Sequence, residues 1–173
     1  MIVFETQRLQ VRLWQPDDFA VLYAMLSDPI TMAHWPAPLE PEAVRAWLAR
    51  SAADMSQHGH ARWCMQLREG ATVVGDIGIA RRAHAGAWVN DLGCIVHHPY
   101  WHQGIGFEAA NGAIGWAQDK GLDGLVANMA VDNAASVGLA TKLGMRRTAT
   151  INNPANRDKP THWFSLDLSA DRR

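Results

Sequence analysis

A short glycine segment, Gly104-Ile105-Gly106, is the part of this sequence that most directly predicts chemistry. An apolar, strand-like run precedes it and a helical pattern follows it, so the glycines lie at the start of a helix. Glycine lets the backbone approach a ligand closely, and the N–H groups and partial positive charge at a helix N-terminus attract anions. The segment therefore predicts a pyrophosphate-binding loop, with an ordinary helix cap as the alternative.

Three histidines next to this loop, His97, His98 and His102, raise the question of a metal site. Pro99 interrupts any helix between them, and no neighbouring carboxylate completes a zinc-hydrolase pattern such as HExxH. We therefore predict that the protein uses no metal.

The elements that must position the loop follow from changes in the apolar period. Spacings of three and four residues predict helices at 17–27, 41–58, 106–120 and 132–143. Alternation predicts strands at 8–14, 62–68, 73–80, 87–97, 125–131, 145–151 and 161–168. Short turns favour antiparallel pairing of the early strands, whereas a strand, a crossover helix and a second strand favour parallel pairing around the loop. The sequence thus predicts a mixed α/β sheet in a single domain, residues 1–173.

Composition narrows the class of protein. The 173 residues suit one domain, and 16 basic against 17 acidic side chains leave the chain nearly uncharged. A nucleic-acid-binding protein is expected to carry a broad basic face, so we predict no nucleic-acid partner. No apolar run approaches the roughly 20 residues that cross a bilayer. Cys64 and Cys94 have no partner nearby in sequence, which favours buried free thiols. We expect a cytoplasmic protein with no membrane partner.

Taken in order, several segments resemble the GNAT superfamily of N-acetyltransferases, in particular its RimJ/RimL-like branch. The matching segments are residues 6–13, 16–18, 27–29, 75–78, 92–93, 100–106, 108–109, 131–133, 136 and 142–145. The resemblance covers nearly the whole chain, and its specificity lies in the order and spacing of these segments. It implies a seven-stranded, partly splayed mixed sheet flanked by about four helices. It also implies transfer of an acetyl group from acetyl-CoA to a primary amine by direct attack in a ternary complex.

The resemblance further implies where acetyl-CoA binds. The pantetheine arm would pair with the backbone of residues 95–97, and the pyrophosphate would lie on residues 103–107. The implied cofactor positions are Ile95, Val96, His97, His102, Gln103, Gly104, Ile105, Gly106, Phe107, Glu108, Asn133, Ser136 and Ala140. Glu108 suits the helix dipole and is interpreted as structural. In three places the chain departs from the family: His102 replaces a glycine, Phe107 a small residue, and Ala140 a tyrosine that protonates the leaving thiolate.

Acetylation of an amine requires a proton acceptor and a stabilised leaving group. Asp91 is the first candidate base, because the family often has an acid on this strand that works through water; a solvated or salt-bridged carboxylate is the alternative. His97 is the second, because an imidazole accepts protons near neutral pH, with an exposed loop residue as the alternative. Ser136 is the candidate for assisting the thiolate, unless its hydroxyl only caps a helix.

The acceptor amine is not specified by the sequence. Candidate contacts are Trp35, in the loop between the first two helices, and Asn152 and Asn153, in the polar loop before the last strand. Packing within the loop is the alternative for Trp35. The resemblance favours the α-amine of a protein N-terminus and leaves small-molecule amines and a homodimer open.

Two other functions stay open at this point. One is a non-catalytic domain that binds acyl-CoA. The other is a dinucleotide-binding oxidoreductase, with Asp123 as the ribose-binding acid, although the glycine segment lies late in the chain for that fold.

Overall fold

Apolar alternation in the first half of the chain forms strands, interrupted by two helices. The computed structural model describes residues 1–84 and 86–169. The first elements are β1 (Ile2–Glu5), β2 (Leu9–Arg12), α1 (Phe19–Leu26), α2 (Pro41–His58), β3 (Arg62–Leu67), β4 (Val73–His84) and β5 (Ala87–Val96). Pro41 occupies the first turn of α2, and Gly59 ends it with a left-handed φ of 74°.

The second half alternates helices and strands around the glycine segment. Its elements are α3 (Ile105–Asp119), β6 (Gly124–Ala130), α4 (Ala134–Lys142), β7 (Arg146–Asn153) and β8 (Lys159–Asp167). The Asn133 side chain accepts a hydrogen bond from the Ser136 N–H and thereby caps the start of α4. Among the described residues, no helix is both long and apolar enough to cross a membrane.

All eight strands join one sheet in the order β1-β2-β3-β4-β5-β6-β8-β7. Every neighbouring pair is antiparallel except β5 and β6, which are parallel. Between these two strands the paired position in the described chain is Asp91 opposite Val126. Because pairing does not continue towards their C-terminal ends, the sheet opens there, next to the glycine segment.

The sheet has two faces, and we name each after the helix that covers it. On the α3 face, residues of β2 to β6 pack with α3; the buried set includes Leu9, Val11, Trp63, Met65, Ile77, Ile79, Leu92, Ala109 and Ala113. On the α2 face, the core comprises Trp14, Leu22, Met25, Leu26, Met32, Val44, Trp47, Cys64 and Ile95. Alternation along β5 therefore puts Asp91, Gly93 and Ile95 on the α2 face.

The mixed α/β fold predicted from the sequence is confirmed, and so is the parallel pair around α3. The predicted count of seven strands is wrong, because the short strand β1 pairs with β2 and makes eight. β4 extends to His84 rather than ending at residue 80. Its last four residues, 81–84, are mostly polar and lack the apolar alternation on which the prediction depends. Both cysteines are free, with Cys64 buried and Cys94 half-buried.

Candidate active site

The glycine loop lies between the end of β5 and the start of α3. Gly104 is the N-cap of α3 in a left-handed conformation, with φ 76° and ψ 3°, and no side chain caps the helix. The N–H groups of the first helical turn have no acceptor within the helix, so they can bind an external anion. A Cβ built on Gly106 would stand 3.4 Å from Val96 Cγ2 and 3.9 Å from Leu139 Cδ2, so this turn lies close to both β5 and α4.

Arg8, on the N-terminal segment, holds this loop from the outside. Its Nη1 donates to the Gln103 carbonyl oxygen at 2.9 Å, and its Nε donates to Glu108 Oε2 at 2.6 Å. Glu108 Oε1 accepts from the Thr6 hydroxyl at 2.6 Å and from the Arg8 N–H at 2.7 Å. Partial burial would raise the pKa of Glu108, but these hydrogen bonds outweigh it and hold the pKa below its ordinary value. The contacts support a structural role for Glu108.

A cation and a cavity lie next to the glycine loop. The Lys142 ammonium lies 4.1 Å from the centre of the Phe107 ring, so a cation from α4 stands beside the first turn of α3. A cavity of about 390 Å³ between Gln7 and Asn111 adjoins Gly104. His102, where related loops carry glycine, adopts φ 60°, which is the conformation a glycine would favour.

Asp91 lies on the α2 face at the point where β5 and β6 pair. It is half-buried, and its Oδ1 accepts a hydrogen bond from Asn128 Nδ2 at 3.3 Å. Burial raises the pKa of Asp91, and the positive charges of Arg62 and Arg82 oppose that rise without cancelling it. The side chain is therefore neither fully solvated nor directly paired with a cation within the described residues.

A buried charged network lies beneath Asp91. Asp76 is fully buried, forms an ion pair with Arg62, and accepts hydrogen bonds from Trp14 Nε1 at 2.8 Å and Trp47 Nε1 at 3.1 Å. The Arg62 guanidinium occupies the space that a Cβ on Gly93 would need. Burial raises the pKa of Asp76, although Arg62 and the two indoles work in the opposite direction. The network holds the positively charged Arg62 guanidinium in place near the point where β5 and β6 begin to separate.

His97 and His98 follow the end of β5 and meet the loop after α1. His98 Nδ1 lies 2.8 Å from Asp28 Oδ2, and the Thr31 hydroxyl also bonds to that oxygen. Atoms of Asp28, His97 and His98 that could ligate a metal lie within 4.8 Å of one another. Burial lowers the pKa of His97. Burial would raise the pKa of Asp28, but hydrogen bonds from Thr31, His98 and Ile30 outweigh it and lower the pKa. In this arrangement Asp28 ties the α1–α2 loop to the end of β5.

The start of α4 contains the remaining implied cofactor positions. Asn133 uses its oxygen to cap the helix, accepting from the Ser136 N–H at 3.1 Å, and Ser136 is half-buried. Ala140 is 3% exposed and packs against Ala127, Met145 and Phe164. No hydroxyl therefore stands at the position where related proteins have tyrosine.

Trp35 lies in the loop between α1 and α2, which touches the loop that follows β7. Asn152 and Asn153 are the last two residues of β7, so the prediction that they lie in a loop is wrong. Trp35 is 37% exposed, and its ring lies 5.8 Å from that of Trp47. Arg157 Nη2 donates to the Trp35 carbonyl at 2.9 Å, and Asn156 Nδ2 donates to the His34 carbonyl at 2.9 Å. We call this contact between residues 34–35 and 156–157 the strap.

The two predicted asparagines lie in the chain next to the strap. Asn153 Oδ1 caps a turn by accepting from the Ala155 N–H, and Asn152 is exposed opposite Pro160. The strap contacts come instead from their neighbours, Asn156 and Arg157.

Comparison with known proteins gives this geometry its context. The family model of the acetyltransferase (GNAT) domain matches residues 8–146, well over half of the chain. The chain belongs to the GNAT acetyltransferase family. The activity expected from the sequence, acetyl transfer from acetyl-CoA to an amine, is thereby confirmed at the level of the family.

Solved structures of GNAT acetyltransferases share the whole fold at low sequence identity. One from Bacillus anthracis is 18% identical, with a TM-score of 0.79, covering 97% of this chain and 99% of its own. RimL, a ribosomal α-N-protein acetyltransferase solved with coenzyme A, is 14% identical with a TM-score of 0.80, covering 99% and 100%. The ribosomal-protein-S5-alanine acetyltransferase from Vibrio fischeri is 16% identical with a TM-score of 0.78, covering 98% of each chain.

The dinucleotide-binding alternative is wrong for this GNAT protein. A doubly wound fold has several parallel strands, and here β5 and β6 are the one parallel pair among the described strands. A cavity of about 840 Å³ lies around Trp88 and Gly124, at the starts of β5 and β6 and away from the glycine loop.

The loop of this GNAT acetyltransferase fits the pyrophosphate of acetyl-CoA. The N-cap is a glycine without a side chain to compete for the helix N–H groups. Two cations that the sequence analysis did not identify, Arg8 and Lys142, lie beside the loop. Neither contact could be found from spacing, because Arg8 lies 95 residues from Gln103 and Lys142 comes from another helix.

Proposed function

We propose that this protein acetylates a primary amine by direct attack on acetyl-CoA in a ternary complex, with the thioester end of the cofactor in the opening between β5 and β6. One observation carries the proposal. The N-terminus of α3, capped by Gly104, follows β5, and the half-buried carboxylate of Asp91 lies on β5 where this strand and β6 begin to separate. At about 3.3 Å per residue, Asp91 lies roughly 13 Å along β5 from Ile95, where the pantetheine arm would begin to pair.

Asp91 is proposed as the general base. The acceptor ammonium gives one proton to Asp91 through a water molecule, and the free amine nitrogen then attacks the thioester carbonyl. The C–N bond forms, the C–S bond breaks, and the second proton on the nitrogen passes to the departing thiolate sulfur. A carboxylate whose pKa is raised by burial is a better proton acceptor than an ordinary one. The Asn128 amide donates to Asp91 and orients it. His97 is the second candidate, and its lowered pKa keeps it neutral at pH 7.

Ser136 is proposed to assist the leaving thiolate. It lies half-buried in the first turn of α4. The Asn133 side chain caps this helix by accepting from the Ser136 N–H, so the Ser136 hydroxyl is not needed as the cap. A thiol with a pKa near 8.5 is a good leaving group, so weak assistance is enough. The buried methyl of Ala140 is consistent with a mechanism that lacks a tyrosine acid.

The acceptor class proposed is the α-amine of a protein N-terminus or a small-molecule primary amine. Structurally similar proteins include RimL, named as a ribosomal α-N-protein acetyltransferase, and an enzyme named as a ribosomal-protein-S5-alanine acetyltransferase. On the α2 face, the partly exposed Trp35 packs on the buried Trp47 and offers an apolar surface to an acceptor. Asn152 and Asn153 remain proposed acceptor contacts.

The direct test is acetyl-CoA turnover against a panel of amines, measured as release of free thiol. The panel contains short peptides beginning with Ala or Ser, their N-terminally blocked forms, and alkyl and polyamine acceptors. Thiol release that depends on an unblocked amine is the expected result. Tight acetyl-CoA binding with no transfer to any amine would instead favour the non-catalytic alternative, and absence of binding would refute both.

A further inference from the structure

The long β4–β5 hairpin makes an aromatic contact far across the sheet. The rings of His84 and Trp163 are stacked, with centroids 3.4 Å apart and planes 19° apart. His84 ends β4 and Trp163 lies on β8, and two strands, β5 and β6, separate them in the sheet. At about 4.8 Å per strand, β4 and β8 are roughly 14 Å apart. The rings can meet only because the end of β4 curls over one face.

That face is the one that carries Asp91. Trp163 is directly opposite Asn128 in the β6–β8 ladder, and opposite residues of an antiparallel pair project on the same side. The Asn128 amide bonds to Asp91, so Asn128 and Trp163 both project towards the α2 face. The nearby charge of His84 also acts on Asp91, in the sense of lowering its pKa. The stack therefore lies beside the candidate base.

A second attachment holds the hairpin against α2. Arg82, two residues before His84, places its Nη1 3.4 Å from Asp54 Oδ2 on that helix. The hairpin is thus attached to α2 on one side and to β8 on the other, and it crosses the α2 face between them.

The strap forms a separate crossing on the same side of the molecule. It connects the loop that precedes α2 with the loop that precedes β8, and Trp35 in this loop packs on Trp47. Trp47 in turn bonds to Asp76 beneath the α2 face. The strap and the His84–Trp163 stack therefore lie on the same side of the sheet as Asp91.

We propose that the His84–Trp163 stack is the size-determining wall of the acceptor groove, so that the enzyme selects a primary amine on a carbon with small substituents, such as an unbranched chain or an N-terminal Ala or Ser, and rejects one on a carbon with a bulky side chain. This inference rests on the proposed function, because it concerns the acceptor of that same site. His84 is here a specificity-determining residue; it takes no part in proton transfer.

The test measures binding rather than turnover. Coenzyme A is joined through a thioether-linked acetyl group either to butylamine or to the α-amine of tryptophan amide, and both conjugates and free coenzyme A are titrated by calorimetry. The wild-type protein should bind the butylamine conjugate more tightly by about tenfold or more, the scale on which shape complementarity discriminates between substrates. In His84→Ala that ratio should fall towards one, with affinity for free coenzyme A unchanged.

Two matched variants make the result specific. His84→Phe keeps an aromatic ring for the stack and should restore the wild-type ratio. Trp88→Ala removes a ring that is 64% exposed on the same hairpin but lines the cavity away from the loop, and should leave the ratio unchanged. Faster tryptic cleavage after Arg81 or Arg82 in His84→Ala, and not in His84→Phe, would show that the hairpin has been released.

The outcomes separate the wall from the function on which it rests. An equal ratio in the wild type and His84→Ala, with coenzyme A still bound, overturns the proposed wall and leaves acetyl transfer standing. Equal binding of both conjugates by the wild type also overturns it. If the wild type fails to bind free coenzyme A, the proposed function itself is refuted.

Discussion

Gly104 and Gly59 offer a controlled test of the pyrophosphate loop. The two residues have almost the same backbone conformation, φ 76° and ψ 3° at Gly104 and φ 74° and ψ 4° at Gly59. Gly104 begins α3 beside β5, whereas Gly59 ends α2 away from the loop. Replacing each with alanine imposes the same left-handed strain, and only Gly104→Ala disturbs the proposed cradle.

The expected magnitudes follow from this pairing. An alanine forced into the left-handed region costs roughly 1–2 kcal/mol in either variant. In a chain of this size, each kcal/mol lowers the melting temperature by about 2–4 °C. At Gly104 the strain also moves the first-turn N–H groups, and a hydrogen bond to a charged group contributes about 1.5–3 kcal/mol. Affinity for coenzyme A should therefore fall by about 10- to 100-fold in Gly104→Ala and stay unchanged in Gly59→Ala.

The assay pairs thermal denaturation with calorimetric titration of coenzyme A. An added Cβ meets nothing within 4 Å at Gly59 and only Arg8 Nη2, at 3.5 Å, at Gly104, so steric clash does not separate the two variants. A similar loss of stability with affinity lost in Gly104→Ala alone is expected. Equal affinity in both variants would refute the argument that the start of α3 binds the pyrophosphate.

The remaining predictions concern the groups around the cofactor. Asp91→Asn should depress kcat/KM across the pH range while His97→Gln has little effect; the reverse result, with loss of an acidic limb in the pH–rate profile, would make His97 the base. Because burial raises the pKa of Asp91, the ionised form of this residue destabilises the fold. Asp91→Asn should therefore raise the free energy of unfolding at pH 7, as measured by urea titration. This gain should disappear below the unfolded-state pKa of about 3.9, where the carboxyl group is protonated in both states. Ser136→Ala should lower kcat by about 10- to 100-fold with little change in coenzyme A affinity; an unchanged kcat would limit Ser136 to the helix cap. Arg8→Ala should weaken coenzyme A binding by releasing Glu108 and the loop, as measured by calorimetry, whereas equal affinity would show that the loop holds its shape alone.

Local patterns in the sequence were enough to predict the fold around the site. Three features depend only on neighbours within a few positions of the chain. They are the change of apolar period from α2 to β3, the glycines that end helices, and the strand–helix–strand unit at residues 87–131. For the same reason the glycine loop could be identified as a helix N-terminus next to a strand. β1 was missed because four half-exposed residues carry too little alternation to distinguish a strand from a terminal segment.

The contacts that complete the site join distant positions and leave no local pattern. Asp76 and Arg62 are 14 residues apart on paired strands, and alternation alone gives no reason to bury a carboxylate there. The His84–Trp163 stack joins β4 to β8, two strands that are not neighbours in the sheet. Contacts of this kind require the three-dimensional structure.

The buried network bears on the proposal that Asp91, a carboxylate on β5, acts as the base. Removal from water by itself would push the pKa of Asp91 upwards until the residue stayed protonated and could accept nothing. Arg62 is the largest influence in the opposite direction, and it stays in place because the fully buried Asp76 holds it and because Gly93 has no side chain in its way. The Arg62 cation at this point limits the rise in the pKa of Asp91, while burial keeps that pKa above the ordinary value of an aspartate. Gly93 on β5 and Asp76 on β4 thus act together, because both keep the Arg62 guanidinium at the point where β5 and β6 separate.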